Sequence, residues 1–160
     1  MFTRRVLSLA LLALALTGCA SVPAPVSVAD SIAKNPSLST LNGLIGQAGL
    51  SATLQGAGPF TVFAPSNEAF KLVSAKTMDD LAKHPDKLKN VLTFHIVADK
   101  LMAVNIKNKS VKALNGSPLA LSKAGDFVTV EQAMVQSADI QASNGLIHII
   151  DGVLIPPHKK

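Results

Sequence analysis

Asn144-Gly145-Leu146-Ile147-His148-Ile149-Ile150-Asp151-Gly152-Val153-Leu154-Ile155-Pro156-Pro157 is the stretch whose reading decides the fold. Asn-Gly favours the positive φ angles of a tight two-residue turn, which makes it the strongest short-range hairpin signal. It predicts a hairpin joining Ala138–Ser143 to Leu146–Ile150. With Asn144-Gly145 as the turn, His148 falls opposite Gln141 and diagonal to Asp139 on one face.

Working outward from this hairpin, the chain reads as strands back to Lys109. Val111–Leu114, Leu119–Ser122, Phe127–Glu131 and Ala133–Gln136 are separated by Asn115-Gly116-Ser117-Pro118 and Ala124-Gly125-Asp126. Upstream the pattern changes to helices. Val28–Lys34 is a short helical stretch stopped by Asn35-Pro36. Leu38, Leu41, Leu44, Ile45 and Ala48 recur at helical spacing before Gly49. A helical turn is expected at Leu50–Leu54, and a strand at Phe60–Ala64 between Gly58-Pro59 and Pro65. Ser66 or Asn67 then caps a helix with Glu68 in its first turn. Thr77–Lys83 reads as helix, with the Asp79-Asp80 pair in an exposed first turn. A further helix starts at Pro85 and runs to about Thr93, and Phe94–Val97 reads as a strand. Helices first and strands second argue an α+β fold.

The N-terminus reads as a targeting segment. Arg4-Arg5 precede the apolar run Val6–Leu16, then Thr17-Gly18-Cys19. A basic start, a short apolar stretch and small residues form an export signal. The apolar run is about half of the roughly 20 residues a membrane-spanning helix needs. The ending Leu16-Thr17-Gly18-Cys19 resembles the lipobox of bacterial lipoproteins, in which the cysteine is acylated and the chain is cut before it. An ordinary signal peptide cut after Ala20 is the alternative. Cys19 is the sole cysteine, so no internal disulfide is open to it. Stable anchoring takes more than one acyl chain. Ala20 rather than aspartate after the cysteine favours the outer membrane of a Gram-negative cell, by resemblance to its lipoproteins. The expected organisation is a lipoprotein signal peptide at residues 1–18, a lipid-anchored linker at 19–27 with Pro23 and Pro25, a single domain at 28–157 and a basic tail at 158–160. The domain would face either the periplasm or the outside.

Composition narrows the function. The precursor carries a net charge of +5, which falls to +3 without Arg4 and Arg5. Lys100, Lys107, Lys109 and Lys112 come close together and would attract an anionic surface or glycan; the alternative is a solvated face. The chain has no Trp and no Tyr. A single-strand nucleic-acid binder stacks bases on aromatic side chains beside a basic groove, so nucleic acid is not an expected partner. Among chemistry-bearing motifs there is no glycine-rich phosphate loop, no nucleophile elbow and no paired metal motif. The histidines are His84, His95, His148 and His158. Their wide separation gives no metal-ligand pattern, and no cofactor is expected. A contact between His148 and the Asp139 carboxylate would orient the imidazole and favour its charged form, but no nucleophile accompanies the pair.

Two blocks carry a family resemblance. Gly58-Pro59-Phe60-Thr61-Val62-Phe63-Ala64-Pro65-Ser66-Asn67-Glu68-Ala69-Phe70 resembles the first signature box of the fasciclin domain, and Asn144–Pro157 resembles the second. Between them, Leu92-Thr93-Phe94-His95-Ile96-Val97 is similar to the family's central tyrosine–histidine element, with Phe94 in the tyrosine's place. The resemblance implies one fasciclin domain: a β-wedge or sandwich of about seven strands packed with several helices. It also implies an adhesion or matrix-binding module without catalysis; the weakly basic face adds an envelope protein or an anionic polysaccharide as expected partners, and a monomer is expected. Phe94, His95, Asp139 and Ile140 match positions proposed as receptor contacts in some animal members; their alternative role is packing and turn geometry. A second expectation is a carrier of a small apolar ligand held between helices and wedge.

Overall fold

The computed structural model describes residues 26–157. The signal segment, Cys19, most of the linker and the tail with His158 lie outside the described residues. Helices fill the first half: α1 (Val28–Lys34), α2 (Ser39–Gln47), α3 (Ser51–Gln55), α4 (Asn67–Lys71), α5 (Ala75–Lys83) and α6 (Pro85–Phe94). The strands are β1 (Phe60–Pro65), β2 (Ile96–Val97), β3 (Lys109–Lys112), β4 (Pro118–Ala124), β5 (Phe127–Val130), β6 (Ala133–Ala142) and β7 (Gly145–Ile150). They form one sheet in the order β2-β1-β7-β6-β5-β4-β3. The α+β architecture with seven strands and six helices is therefore observed.

The sheet curls until its two margins touch. Val97 pairs with Ala113, and Leu114 N–H donates to the Ile96 carbonyl at 2.7 Å. This near-closed wedge separates two apolar clusters. Val62, Ala64, Ile147 and Ile149 face the helices and meet Ile32, Leu41, Leu54, Leu88 and Leu92. Phe63 and Ile150 face the interior of the wedge with Leu101, Ile106, Leu119, Leu121 and Val130. The alternation follows from the two-residue period of a strand. It puts β1 and β7, the one parallel pair, under cover on both faces, as parallel strands require.

Helix starts follow local capping. The Ser27, Ser66 and Ser74 side chains accept from Asp30, Ala69 and Thr77 N–H, satisfying donors a helix start leaves open. Ser66 is thus the cap of α4. Asn67 serves a different helix: its Oδ1 accepts from Thr40 N–H at 3.0 Å at the start of α2, and its Nδ2 donates to the Pro36 carbonyl at 2.9 Å.

Four sequence expectations need correction. The Ser74 cap starts α5 at Ala75, so Asp79 and Asp80 sit past its first turn, where Asp80 meets Lys87 at 2.8 Å. Phe94 closes α6 instead of opening a strand, because the helical spacing of Leu88, Val91 and Leu92 carries through it and leaves only Ile96–Val97 extended. Ala133–Gln136 and Ala138–Ser143 are one strand, β6, with register shifts between Val135 and Ile140.

The fourth concerns the hairpin. Ala142 pairs with Gly145, so its two-residue turn is Ser143-Asn144. Gly145 is held inside β7, directly against Phe60 of β1, where a Cβ would overlap the Phe60 carbonyl. A Cβ on Gly58 would overlap the Asn144 carbonyl in the same way. Asn144 itself is a clamp. Its Oδ1 accepts from Val28 N–H at 2.8 Å, and its Nδ2 donates to the Leu54 and Gly56 carbonyls at 2.8 and 2.7 Å. The turn therefore ties α1 and α3 to the sheet.

Candidate functional site

Polar side chains of β1, β4, β6 and β7 converge on one segment, Ala98–Ile106, which links β2 to β3 and lies across the wedge like a strap. The Thr61 hydroxyl donates to the Asp99 carbonyl at 2.6 Å and accepts from Leu101 N–H at 2.9 Å. His148 Nε2 meets the Leu101 carbonyl at 2.7 Å. The Asp139 carboxylate accepts from Ala103 N–H at 2.9 Å, and Lys123 Nζ donates to the Ala103 carbonyl at 3.0 Å. Leu101 and Ile106 insert into the inner apolar cluster, whereas Val104 stays 72% exposed. Polar side chains in β1, β6 and β7 thus satisfy backbone groups of a loop that is buried at Leu101 and Ile106 and largely exposed elsewhere.

His148 is fully buried and stacks on Phe63, with ring centroids 5.5 Å apart and 22° between planes. Asp139 N–H donates to its Nδ1 at 3.2 Å. That contact requires a lone pair on Nδ1, so Nε2 carries the proton and donates to Leu101. Burial lowers the pKa of His148, against smaller upward effects from the Leu101 bond and the Asp139 charge. The expected contact with the Asp139 carboxylate is replaced by one with its backbone, and the charged form is disfavoured. The reason is the hairpin register, two residues from the expected one, together with a bulge that puts Asp139 at φ 57°.

His95 repeats this arrangement at the other end of the wedge. Its Nδ1 meets the Val91 carbonyl at 2.8 Å, and its Nε2 accepts from Leu154 N–H at 3.0 Å. Burial pushes its pKa down to about 4, although the Val91 bond acts upward. It joins α6 to the segment that follows β7. Phe94, beside it, is 1% exposed in the inner cluster.

The sequence-derived candidates therefore fall in two places. Phe94 and His95 are interior residues. Asp139 and Ile140 are half-buried on β6; the first holds the strap and the second packs on the helix-side cluster. Both nitrogens of both buried imidazoles are taken by backbone groups, so neither is placed to move a proton in a reaction. The space between helices and sheet is filled by the helix-side cluster. A cleft lies elsewhere, between α5, α6 and the C-terminal segment, and mixes Lys76, Asp79, Lys83 and Lys87 with Ile155 and Pro156. Lys100, Lys107, Lys109 and Lys112 are all exposed, at the outer end of the strap and along β3. Sequence reasoning missed Thr61 and Asn144: the first was one residue of a strand, and the second was absorbed into a turn signal.

Comparison with known proteins gives a consistent result. The profile of the Fasciclin domain matches residues 36–156. Protein sll1483 of Synechocystis is 39% identical over 140 residues, covering 86% of this chain and 78% of that protein. Cell surface glycolipoprotein MPB83 of Mycobacterium bovis is 34% identical over 135 residues, 81% of this chain and 60% of that protein. Among solved structures, a FAS1 domain pair from the insect cell adhesion molecule Fasciclin I superposes with a TM-score of 0.65 at 16% identity, over 81% of this chain and 50% of that one.

Proposed function

Because the chain belongs to the fasciclin domain family, we propose that it is a non-enzymatic binding module of adhesion type, tethered to the cell envelope and contacting a protein or polysaccharide partner. The observation that carries this reading is the use made of the interior polar groups. Thr61, His95, His148 and Asp139 are spent on holding backbone segments, which leaves recognition to the surface. The name of MPB83, a cell surface glycolipoprotein, and the adhesion molecule that shares the fold support the same class. Family alone does not assign function, so the partner is open to test.

Anchoring through acylated Cys19, in the outer membrane of a Gram-negative envelope, belongs to this proposal. Val26 is fixed to the domain by its carbonyl, which accepts from Ser143 N–H at 2.8 Å. The tether thus joins the domain at the β6–β7 turn. The test is protease shaving of intact cells with antibody detection, paired with mass spectrometry of the mature N-terminus. Acyl mass on Cys19 and loss of processing in Cys19→Ser support the anchor; an unmodified, processed cysteine overturns it. Retention of the domain by purified envelope or matrix material supports the binding reading, and its absence on all such material overturns that reading.

A further inference from the structure

The end of the wedge that carries the β6–β7 turn also carries exposed apolar side chains. β1 and β7 start there, with Phe60 beside Gly145. β2 and β6 are antiparallel to them and run towards that end. β5 then runs away from it, β4 towards it and β3 away. The same end therefore holds the strap leaving β2, the chain entering β3 and the β4–β5 turn. Topology thus collects Met102 and Val104 of the strap, Lys107 and Lys109 at the entry to β3, and Phe127 at the start of β5. The β3–β4 turn, with Leu114, belongs to the opposite end.

The strap is held firmly while it shows these side chains to solvent. Leu101 and Ile106 sink into the inner cluster, and Asp139 and Lys123 hold the Ala103 N–H and carbonyl. The single helical turn Ala103–Asn105 lies between those fixed points. On and beside it, Val104 is 72% exposed and Met102 37%, and Phe127 is 65% exposed on β5. Lys123 Nζ also reaches the Val104 carbonyl at 3.4 Å. Lys123 stands one residue before Ala124, the partner of Phe127, so Val104 and Phe127 flank one corner of the wedge. Lys100, Lys107 and Lys109 are exposed at this end, as are Asp99 and Asp126. The charge is mixed, so the feature that selects a partner is the apolar surface.

The length of the tether says what covers this surface. Six residues, 20–25, separate Cys19 from Val26, and the Val26 carbonyl is fixed to Ser143 in the β6–β7 turn. Fully extended, that tether reaches at most about 25 Å, whereas a domain of this length is about 35 Å across. A chain acylated at Cys19 therefore cannot bring the opposite end of the wedge to its own bilayer, while the end with Met102, Val104 and Phe127 stays within reach. We propose that this end seats on the phospholipid bilayer that holds the anchor. Met102, Val104 and Phe127 enter the boundary of the acyl region, and Lys100, Lys107 and Lys109 meet the phosphates with their stems along apolar surface. This rests on the reading of Cys19 as an acylated anchor and adds a second, protein-borne contact to it.

The test uses the full chain, expressed with its signal segment, purified from membranes and reconstituted in vesicles of phosphatidylethanolamine and phosphatidylglycerol with brominated acyl chains. Cys19 is the sole native cysteine. With it acylated, a cysteine introduced by Asn105→Cys or Leu114→Cys is the free thiol that takes an environment-sensitive fluorophore. Asn105 adjoins Val104, and Leu114 marks the opposite end. Bromine is expected to quench the Asn105 label at least about threefold more than the Leu114 label. Val104→Glu with Phe127→Glu brings quenching at Asn105 down to the Leu114 level, whereas Val104→Leu with Phe127→Leu keeps it. Both side chains are exposed, so unchanged thermal unfolding separates lost contact from lost structure. Equal quenching of the two labels overturns the proposal, as does quenching at Asn105 that survives the glutamate pair. An Asn105 label shielded from aqueous iodide but not quenched by bromine also overturns it, since a second copy or another protein then covers the face. Mass spectrometry of the same samples separates the two readings. Acyl mass on Cys19 with equal quenching leaves the anchor standing without the seat; absence of acyl mass removes the anchor and the seat with it.

Discussion

The backbone amide of Asp139 donates to Nδ1 of His148, and this single bond fixes the protonation of a buried ring. The other nitrogen must then carry hydrogen for the Leu101 carbonyl. Protonating His148 would set two N–H groups face to face. The strap over the wedge therefore depends on a neutral imidazole. His95 depends on neutrality for the same reason, through Leu154.

The sign of the resulting pH dependence is fixed. Both imidazoles titrate lower in the folded than in the unfolded chain. The unfolded state takes up protons first, so the stability they contribute is present above about pH 6.5 and is lost as pH falls towards their folded values. For His95, with a folded pKa of about 4, the loss across that window is on the order of 3 kcal/mol. Urea midpoints measured from pH 7.5 to 4.5 should fall steadily, and His95→Gln should flatten the slope. Equal pH slopes for wild type and His95→Gln would remove His95 as the cause.

Asp139 is expected to act through its position, not its charge. At φ 57° it occupies a left-handed conformation that Asp and Asn tolerate better than other side chains. Its carboxylate holds Ala103 N–H. Asp139→Asn retains both features and should leave stability within about 1 kcal/mol, whereas Asp139→Ala loses both and should cost about 1–3 kcal/mol. Hydrogen exchange at the Ala103 amide should accelerate in the alanine variant alone. Acceleration of similar size in both variants would assign the effect to charge.

Asn144 ties three segments with three side-chain bonds. Asn144→Ala leaves the Val28 donor and the Leu54 and Gly56 acceptors without it, at a cost of about 2–4 kcal/mol. Asn144→Asp keeps an acceptor for Val28 but turns a carboxylate towards two carbonyls, and should be at least as damaging. Thermal unfolding of the two variants gives the order; stability of the aspartate variant above that of alanine would contradict the assignment.

Much of the fold is legible because two periodicities change over near Lys109, and because serines mark the helix starts. What the sequence conceals is tertiary. Asn144-Gly145 is a turn signal by local preference, yet the demand of Phe60 for a neighbour without a side chain pulls Gly145 into β7 and moves the turn one residue back. Phe94 and His95 carry the composition of a strand, but the apolar face of α6 extends to Phe94 and the His95 ring closes on Val91. The candidate pair Asp139-Ile140 was visible as a motif. Its bulge, and the strap that it holds, depend on Thr61, His148 and Ala103, which no local pattern connects.

Glycine substitutions separate local from tertiary demands. Gly43 lies within α2 with nothing within 4 Å of an added Cβ. Alanine there restricts the unfolded chain and suits a helix, so Gly43→Ala should stabilise by about 0.4–1 kcal/mol. Gly145 has no such room. A methyl group in contact with the Phe60 backbone must push β1 and β7 apart, and these strands supply both apolar clusters. Gly145→Ala should therefore cost more than about 3 kcal/mol, at the severe end for single substitutions. Urea unfolding of both variants at pH 7.5 measures the contrast. A Gly145→Ala protein as stable as wild type would mean that β1 and β7 do not approach as closely as their register requires.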